Sequence, residues 1–368
     1  MLHIHAAELQ RFMKEVFIKV GVPNLDAEIC AEILITSDLR GIESHGIGRL
    51  RMYVDRIMNG QIEAIARPET VKETGTTAVI DGHHGIGMVI AHQSMQLAID
   101  KARKFGFGSV AVRNSTHFGI DGYYPLMAVR EGLIGMSFTN ARPSVAPTFS
   151  TQPLLGTNPI AFGAPTDEDF PFLFDAATSI IQRGKIEVLN RENKIANDGW
   201  VIDEQGNSKN NPQDILEDLV SSRSALLPLG GEGETYGGHK GYGLSTMVEI
   251  LSSCLQSGAF LLSLTGIDSK GEPSRFKVGH FFLAINIENF LPIDEFKLNI
   301  GSLLRELRAA NKVPGQERIY TAGEKEYLNE IYVREIGVPI NNNLLKEILY
   351  IKEILQLDSL PEVGKINS

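Results

Sequence analysis

The stretch Thr77-Ala78-Val79-Ile80-Asp81-Gly82-His83-His84-Gly85-Ile86-Gly87-Met88-Val89-Ile90 decides the fold. An apolar strand, a glycine loop and a helical run to Lys104 imitate the βα unit that binds dinucleotides. That unit needs three glycines spaced Gly-x-Gly-x-x-Gly, so that the chain can turn, approach a pyrophosphate and pack helix on strand. Here Gly85 and Gly87 are followed by Ile90 where the third glycine belongs, and the spacing occurs nowhere else in the chain. The loop reads as structural. The alternation of strands and helices still predicts an α/β protein, but not one built on the Rossmann fingerprint.

On the N-terminal side, short strands are expected at 69–73 and 77–81 around Gly75. Leu9, Phe12, Met13, Val16, Phe17 and Val20 recur at helical spacing, and a second helix from near Asp26 buries Cys30, Ile33 and Leu34. That helix delivers the chain to residues 38–53, Asp-Leu-Arg-Gly-Ile-Glu-Ser-His-Gly-Ile-Gly-Arg-Leu-Arg-Met-Tyr. If 45–53 is helical, His45, Arg49 and Tyr53 share one face, where an imidazole, a planar cation and a phenol could hold a small carboxylic acid beside a proton donor. A helix is expected to stop at Gly60.

On the C-terminal side, a strand at 109–113 runs into Asn114-Ser115-Thr116-His117-Phe118-Gly119, then a helix at 123–130 and a strand at 133–139. His117 thus stands at a strand's C-terminal end, where α/β folds place ligands. Residues 156–166 read as a turn and an apolar edge segment. Phe172-Leu173-Phe174 reads as a buried strand ending in Asp175, with Thr178 and Ser179 beyond it. The polar run 190–214 is expected to be a surface excursion or small subdomain. Seven glycines with His239 and Lys240 fill 230–243 ahead of a helix whose Leu244, Val248, Leu251 and Leu255 share a face. Such a helix mouth suits a phosphate or carboxamide. A strand at 279–287, an amphipathic helix at 295–310, a helix opened by Gly323-Glu324-Lys325, and a tail helix at 344–357 complete the chain.

The chain has 368 residues, 43% of them hydrophobic and 22% charged, enough for a full core and most readily two domains. A net charge of −10 and a pI near 5.5 argue against a nucleic-acid partner. The two cysteines, Cys30 and Cys254, read as buried free thiols in a reducing compartment. The N-terminus lacks the basic and apolar regions of a signal peptide, and no apolar window reaches membrane-spanning length, so a cytoplasmic protein is expected. No spacing of the nine histidines and two cysteines suggests a metal site.

Several motifs, in order from about residue 5 to 340, together resemble the malate/L-lactate dehydrogenase family, which is distinct from the Rossmann-type lactate and malate dehydrogenases. They are Asp38-Leu-Arg-Gly-Ile-Glu-Ser-His-Gly with Arg49 and Tyr53, Asn114-Ser-Thr-His-Phe-Gly, Gly156-Thr-Asn-Pro, Phe174-Asp-Ala-Ala-Thr-Ser with Gly184-Lys185, Gly238-His-Lys-Gly-Tyr-Gly-Leu with Glu249, and Gly323-Glu324. The resemblance implies an NAD- or NADP-dependent oxidoreductase acting on a small 2-hydroxy or 2-oxo acid, with malate/oxaloacetate favoured over lactate, sulfolactate, ureidoglycolate or cyclic imino acids. It implies a homodimer with a non-Rossmann mixed-sheet cofactor domain and a mainly helical domain built from both termini. Residues 1–115 with 310–368 are expected to form the helical substrate domain, and 116–309 the NAD(P)-binding domain.

Carried over residue by residue, the resemblance gives acid/base positions to His45 and His117, with Asp175 as the supporting carboxylate. Ser44, Arg49 and Tyr53 fall in the substrate site. Thr157, Asn158, Asp175, Ala176, Ala177, Thr178, Ser179, His239, Lys240, Gly323, Glu324 and Lys325 fall in cofactor-contacting segments. From the residues themselves, an imidazole titrating near pH 6.5 suits proton exchange with a hydroxyl, and an arginine fork suits its neighbouring carboxylate. Two readings from other classes compete. A Ser44–His45 hydrolase lacks Gly-x-Ser-x-Gly, and intact His45, Arg49, His117 and Lys240 speak against a non-catalytic small-acid binding protein.

Overall fold

The computed structural model describes residues 2–357, 360 and 363–364. Strand β1 (Leu2–Ile4) precedes helices α1 (Ala6–Lys19) and α2 (Asn24–Leu39). Two 3₁₀ turns, Glu43–His45 and Ile47–Arg49, lead to α3 (Leu50–Met58). The hairpin β2 (Glu69–Glu73) and β3 (Thr77–Asp81) is followed by α4 (Gly87–Phe105), β4 (Phe107–Ser115), α5 (Tyr123–Arg130) and β5 (Leu133–Thr139). Next come β6 (Ile160–Ala164), β7 (Phe172–Ala176), α6 (Arg183–Arg191), β8 (Val201–Asp203), α7 (Pro212–Val220) and β9 (Ser224–Leu226). The chain ends with α8 (Gly238–Ser252), β10 (Val278–Asn286), α9 (Ile293–Ala309), α10 (Glu324–Ile336), β11 (Val338–Ile340), α11 (Asn342–Leu355) and β12 (Val363–Gly364).

The central sheet has seven strands in the order β2-β3-β4-β10-β5-β6-β7. Only β3 and β4, joined through α4, run parallel; every other pair is antiparallel. This is the mixed, non-Rossmann sheet that the family resemblance implies, in agreement with the missing glycine fingerprint. Residues 156–166 are expected to hold an edge segment and 172–174 a buried strand, and the sheet reverses them. β7 is the outer strand, and Phe174 is exposed although its run is apolar.

The main core joins Phe12, Met13, Phe17, Cys30, Leu34 and Tyr53 of the N-terminal helices to Val110 and Val112 of β4 and to Ile348 and Ile351 of α11. Both termini therefore build the helical layer. Its ends are sewn together by β1, which pairs antiparallel with β11 from Leu2↔Ile340 to Ile4↔Val338 and with β12. The sequence gives no local sign of these short strands, because each is stable only against a partner more than 300 residues away. The polar excursion around 190–214 is part of a folded lobe: α6, α7, β8 and β9 close over Ile186, Leu189, Val201, Ile215 and Leu226. Cys30 is buried, whereas Cys254, in the 3₁₀ turn after α8, is exposed, contrary to expectation.

The glycine loop 82–87 is structural. A Cβ on Gly87 would lie 2.1 Å from the Thr116 carbonyl oxygen and 2.6 Å from that of His117, and the Gly87 amide donates to Thr116 Oγ1 at 2.8 Å. The start of α4 is thus pressed against the segment that carries His117. Gly87→Ala should cost about 1–3 kcal/mol as an overpacked contact, measurable by denaturant unfolding, and should weaken activity more than cofactor binding by displacing His117.

Candidate active site

Residues 45–53 are not one helix. His45 ends the first 3₁₀ turn, Arg49 ends the second, and Tyr53 lies inside α3. The break is at Gly46, where a Cβ would stand 1.8 Å from Asp38 Oδ1. Asp38 Oδ2 accepts the Ile47 amide at 2.8 Å, so a buried carboxyl from the end of α2 fixes the turn that presents Ser44 and His45. Burial raises Asp38 to about 8, opposed by the Ile47 amide and reinforced by Glu43.

The turn brings His45 onto His117: the rings stack with centroids 5.6 Å apart and planes 21° from parallel. The Tyr53 hydroxyl lies 2.6 Å from His117 Nδ1, and the Gly119 amide donates to that nitrogen at 3.3 Å. A backbone amide can only donate, so His117 Nδ1 is an acceptor. Tyr53 therefore donates to it, and the ring hydrogen sits on Nε2 in the neutral form. Ser44 Oγ is 2.8 Å from His45 Nδ1. Burial and then Arg49 lower His45 to about 4. Burial, His45 and Arg49 hold His117 well below the usual imidazole range. Both rings are neutral at pH 7.

Arg49 is held by its Nε, which donates to the Ser44 carbonyl at 2.5 Å. Its remaining N–H donors meet no carboxylate among the described residues. A cavity of about 510 Å³ beside it is lined by Asp38, Ser44, Arg49, Gly184, Glu187 and Asn329. Tyr53, expected at the substrate, is fully buried and spends its hydroxyl on His117.

Asp175 lies elsewhere. Its Oδ2 accepts the Gly122 amide at 2.7 Å, and no hydrogen bond joins it to either imidazole among the described residues. Partial desolvation by the surrounding chain raises it to about 6, with the Gly122 amide and Arg40 opposing, although its side chain is open to solvent. It lines a second cavity, of about 270 Å³, with Arg40, Gly122, Gly323, Lys325 and Glu326. Glu324 faces away from that cavity. It is fully buried, pairs with Arg318 and Arg308, and accepts the Thr321 amide.

The other cofactor candidates form a separate group. Thr178 donates from its backbone and hydroxyl to the Thr157 carbonyl, and from its hydroxyl to that of Asn158. Asn158 is fully buried and donates to Glu249 Oε2 at 2.8 Å and to the Ser245 carbonyl, which anchors α8. Ala176 pairs with Ile160 at the end of β7, Ala177 follows it, and Ser179 donates to the Ile181 carbonyl. His239 and Lys240 are exposed on the first turn of α8, with no acidic partner among the described residues. Gly238 lets this turn meet the preceding loop, since a Cβ there would lie 2.0 Å from the Gly231 carbonyl. An open helix mouth with an unpaired lysine fits the phosphates of a nicotinamide cofactor.

Sequence reasoning did not single out Asp38, Asp121 or His280. His280 is fully buried on β10, between Thr139 Oγ1 and Ser115 Oγ at 2.8 Å each, and stacks on Phe118 at 4.5 Å. It holds the residue next to His117. Asp121 is buried on Ser137, with Oδ2 unpartnered. A single histidine in an apolar strand carries no sequence signal, whereas Asp38 was legible as the acid that opens the Ser44-His45 motif.

Two neutral imidazoles lie beside an unpaired guanidinium at the seam of a helical layer and a mixed sheet, an arrangement able to exchange a proton with a small acid. The chain matches the family model of malate/L-lactate dehydrogenase over residues 4–349, and it belongs to that family. It is a dehydrogenase of small hydroxy or oxo acids that uses a nicotinamide cofactor. It is 44% identical to the malate dehydrogenase of Pyrococcus horikoshii over 349 residues, covering 95% of this chain and 94% of that one. Identity to the L-sulfolactate dehydrogenase of Methanocaldococcus jannaschii is 38% over 346 residues, covering 92% and 94%. The crystal structure of malate dehydrogenase from Entamoeba histolytica superposes with a TM-score of 0.95 at 44% identity, covering 98% of this chain and 100% of that one. Among the described residues no helix is long and apolar enough to cross a membrane, and no group of three His, Cys, Asp or Glu side chains could hold a metal ion.

Asp38 makes the site's stability depend on pH. Its folded value lies above the usual carboxylate value of about 3.9, so the folded state binds the extra proton. Its contribution is complete below the unfolded value and is lost as pH rises through about 8. Asp38→Asn, which keeps the acceptor for Ile47, should match the parent in melting temperature near pH 4. It should exceed the parent by at least about 2 °C at pH 8.5, as read by calorimetry.

Proposed function

We propose that this dehydrogenase transfers hydride reversibly between NAD or NADP and malate/oxaloacetate. The observation that carries the reading is the stack of two neutral imidazoles with Arg49 at its side. Arg49 clamps the carboxylate next to C2 through its free N–H pair. With Nδ1–H turned to Ser44 Oγ, His45 offers an Nε2 lone pair that takes the hydroxyl proton as hydride leaves C2, and returns it in reduction. His117, its Nδ1 occupied by Tyr53 and Gly119, donates from Nε2–H to the same substrate oxygen. Tyr53 is then a positioning residue. The cofactor supplies or accepts the hydride when bound.

His239 and Lys240 at the mouth of α8, with Thr157, Asn158, Ala176, Ala177, Thr178 and Ser179 beneath it, are proposed to hold the phosphates. Asp175, Gly323 and Lys325 frame the other end of the cofactor site, with Glu324 holding their segment from behind through Arg308 and Arg318, so Asp175 acts there rather than on an imidazole. Residues 1–115 with 310–368 thus supply the substrate side apart from His117, and 116–309 most of the cofactor side. A homodimer is supported by unpartnered apolar side chains on α8, namely Tyr242, Leu244, Met247 and Ile250, all of them exposed. The free thiols of Cys30 and Cys254 support a cytoplasmic setting.

The test is absorbance at constant enzyme of NADH and NADPH oxidation against oxaloacetate, sulfopyruvate, pyruvate and a cyclic imine. Oxaloacetate is expected to give the highest kcat/KM; a preference for the imine would replace this reading with an imine reductase. His45→Gln and His117→Gln should each lower turnover by about 10²–10⁴ while NADH binding, followed by fluorescence, survives. In malate oxidation, kcat/KM should hold its plateau well below pH 6 and fall only near the His45 value of about 4, because the base must be neutral. An acid limb at the ordinary imidazole value would refute the assignment of His45.

A further inference from the structure

The two imidazoles account for C2 and Arg49 for the carboxylate beside it, but nothing so far uses Arg56. Arg56 lies three residues after Tyr53 on α3 and seven after Arg49, on the same side of the helix. Tyr53 is tied to His117 Nδ1, so this side of α3 is the one turned to the histidine pair. The Arg56 guanidinium sits over Phe276, with its Cζ 4.2 Å from the ring centroid. Phe276 is itself fixed, because its carbonyl accepts from His84 Nδ1 at 2.8 Å. A guanidinium held over a ring, with none of its N–H groups hydrogen-bonded among the described residues, keeps those donors free to grip an anion in two places.

No carboxylate takes those donors. Among the described residues Arg56 has no ion pair, although the chain carries a net charge of −10 and Arg51, on the same helix, faces Asp55 at 3.6 Å. Burial and the like charges of Arg49 and Arg142 disfavour its cation, and Tyr53 opposes them. Arg142, exposed in the segment after β5, has no ion pair among the described residues either. Arg49 and Arg56 act on His117, and Arg142 acts on Arg56; three guanidiniums in a row without a counter-ion call for an outside anion, and for more than the single charge that Arg49 would neutralise.

We propose that Arg56, backed by Arg142, holds a second anionic group of the substrate, a carboxylate or sulfonate borne on C3. This sets the preference for dianionic 2-oxo acids over pyruvate. The inference rests on the hydride-transfer reading above and assigns its specificity to named residues. A methyl group at C3 leaves Arg56 desolvated and unpaired, whereas a C3 carboxylate or sulfonate pairs it along two N–H edges. Truncating the arginine removes that difference.

The experiment measures kcat/KM for oxaloacetate, sulfopyruvate and pyruvate in the full chain and in Arg56→Met, Arg56→Lys and Arg142→Gln. Methionine keeps the apolar stem over Phe276. The ratio of oxaloacetate to pyruvate should fall about 10- to 100-fold in Arg56→Met, the range for a charge-assisted hydrogen-bonded pair. It should fall less in Arg56→Lys, which keeps the charge but not the fork, with sulfopyruvate following oxaloacetate. Arg142→Gln, at an exposed position, should shift the ratio the same way by a smaller factor, and it carries the test if Arg56→Met does not fold. An unchanged ratio in both, or a parent chain that reduces pyruvate as well as oxaloacetate, overturns the assignment of Arg56 alone. A parent chain that reduces no 2-oxo acid with either cofactor overturns the hydride-transfer reading as well.

Discussion

The hydrogen bond from the Tyr53 hydroxyl to His117 Nδ1 is the constraint on which the site depends. Tyr53 belongs to the helical layer and His117 to the end of β4, so their 2.6 Å contact sets one layer against the other. It also decides the chemistry. By occupying Nδ1 it fixes the tautomer of His117 and lines the ring up under His45; in the proposed reaction this leaves the proton-accepting task to the ring whose Nδ1 faces a serine. Tyr53 is wholly buried, so the phenol has no water to compete for that bond. His280 and Phe118 stiffen the same spot from the sheet side, through a ring stack only 4° from parallel.

Asp38 plays the matching role for the other histidine. Its buried carboxyl leaves no room for a side chain at residue 46, which is why the chain turns twice in 3₁₀ form where a regular helix was expected. The two histidines thus reach each other by different routes. One is fixed by a phenol 64 residues away, the other by a carboxyl seven residues earlier in the chain. Neither route uses Asp175, whose carboxyl is engaged at the amide of Gly122.

What the sequence made legible follows the range of the interactions involved. α5 and β5 lie where their apolar runs and the intervening Gly132 put them, because helix and strand periodicity is local. The absence of a Rossmann sheet was legible from one missing glycine. The exchange of β6 and β7 was not, since Phe172-Leu173-Phe174 is apolar whichever neighbour it pairs with. β1 and β11 escaped notice because three-residue strands are defined only by partners at the other end of the chain. The residue types at the site, His45, Arg49, Tyr53 and His117, were readable from their motifs. Which of them touch was not, because a helical stripe looks the same in sequence whether it continues through Gly46 or breaks there.

The position of β10 bears on how the molecule is made. This strand fills the middle of the sheet, between β4 and β5, yet it is the last of the seven to be synthesised. Until residues 278–286 leave the ribosome, β4 and β5 each have an open edge along apolar strands, with Val110 and Val112 on one and Leu133 and Phe138 on the other, and Phe118 and Tyr124 lack Phe282 as a neighbour. The unfinished chain carries two sticky edges and no closed core, a state open to pairing with other nascent chains. Closing the gap is a long-range event, which makes it slow. The antiparallel insertion of β10 therefore acts as a late checkpoint: the histidine site acquires a rigid floor only when nearly the whole polypeptide is available.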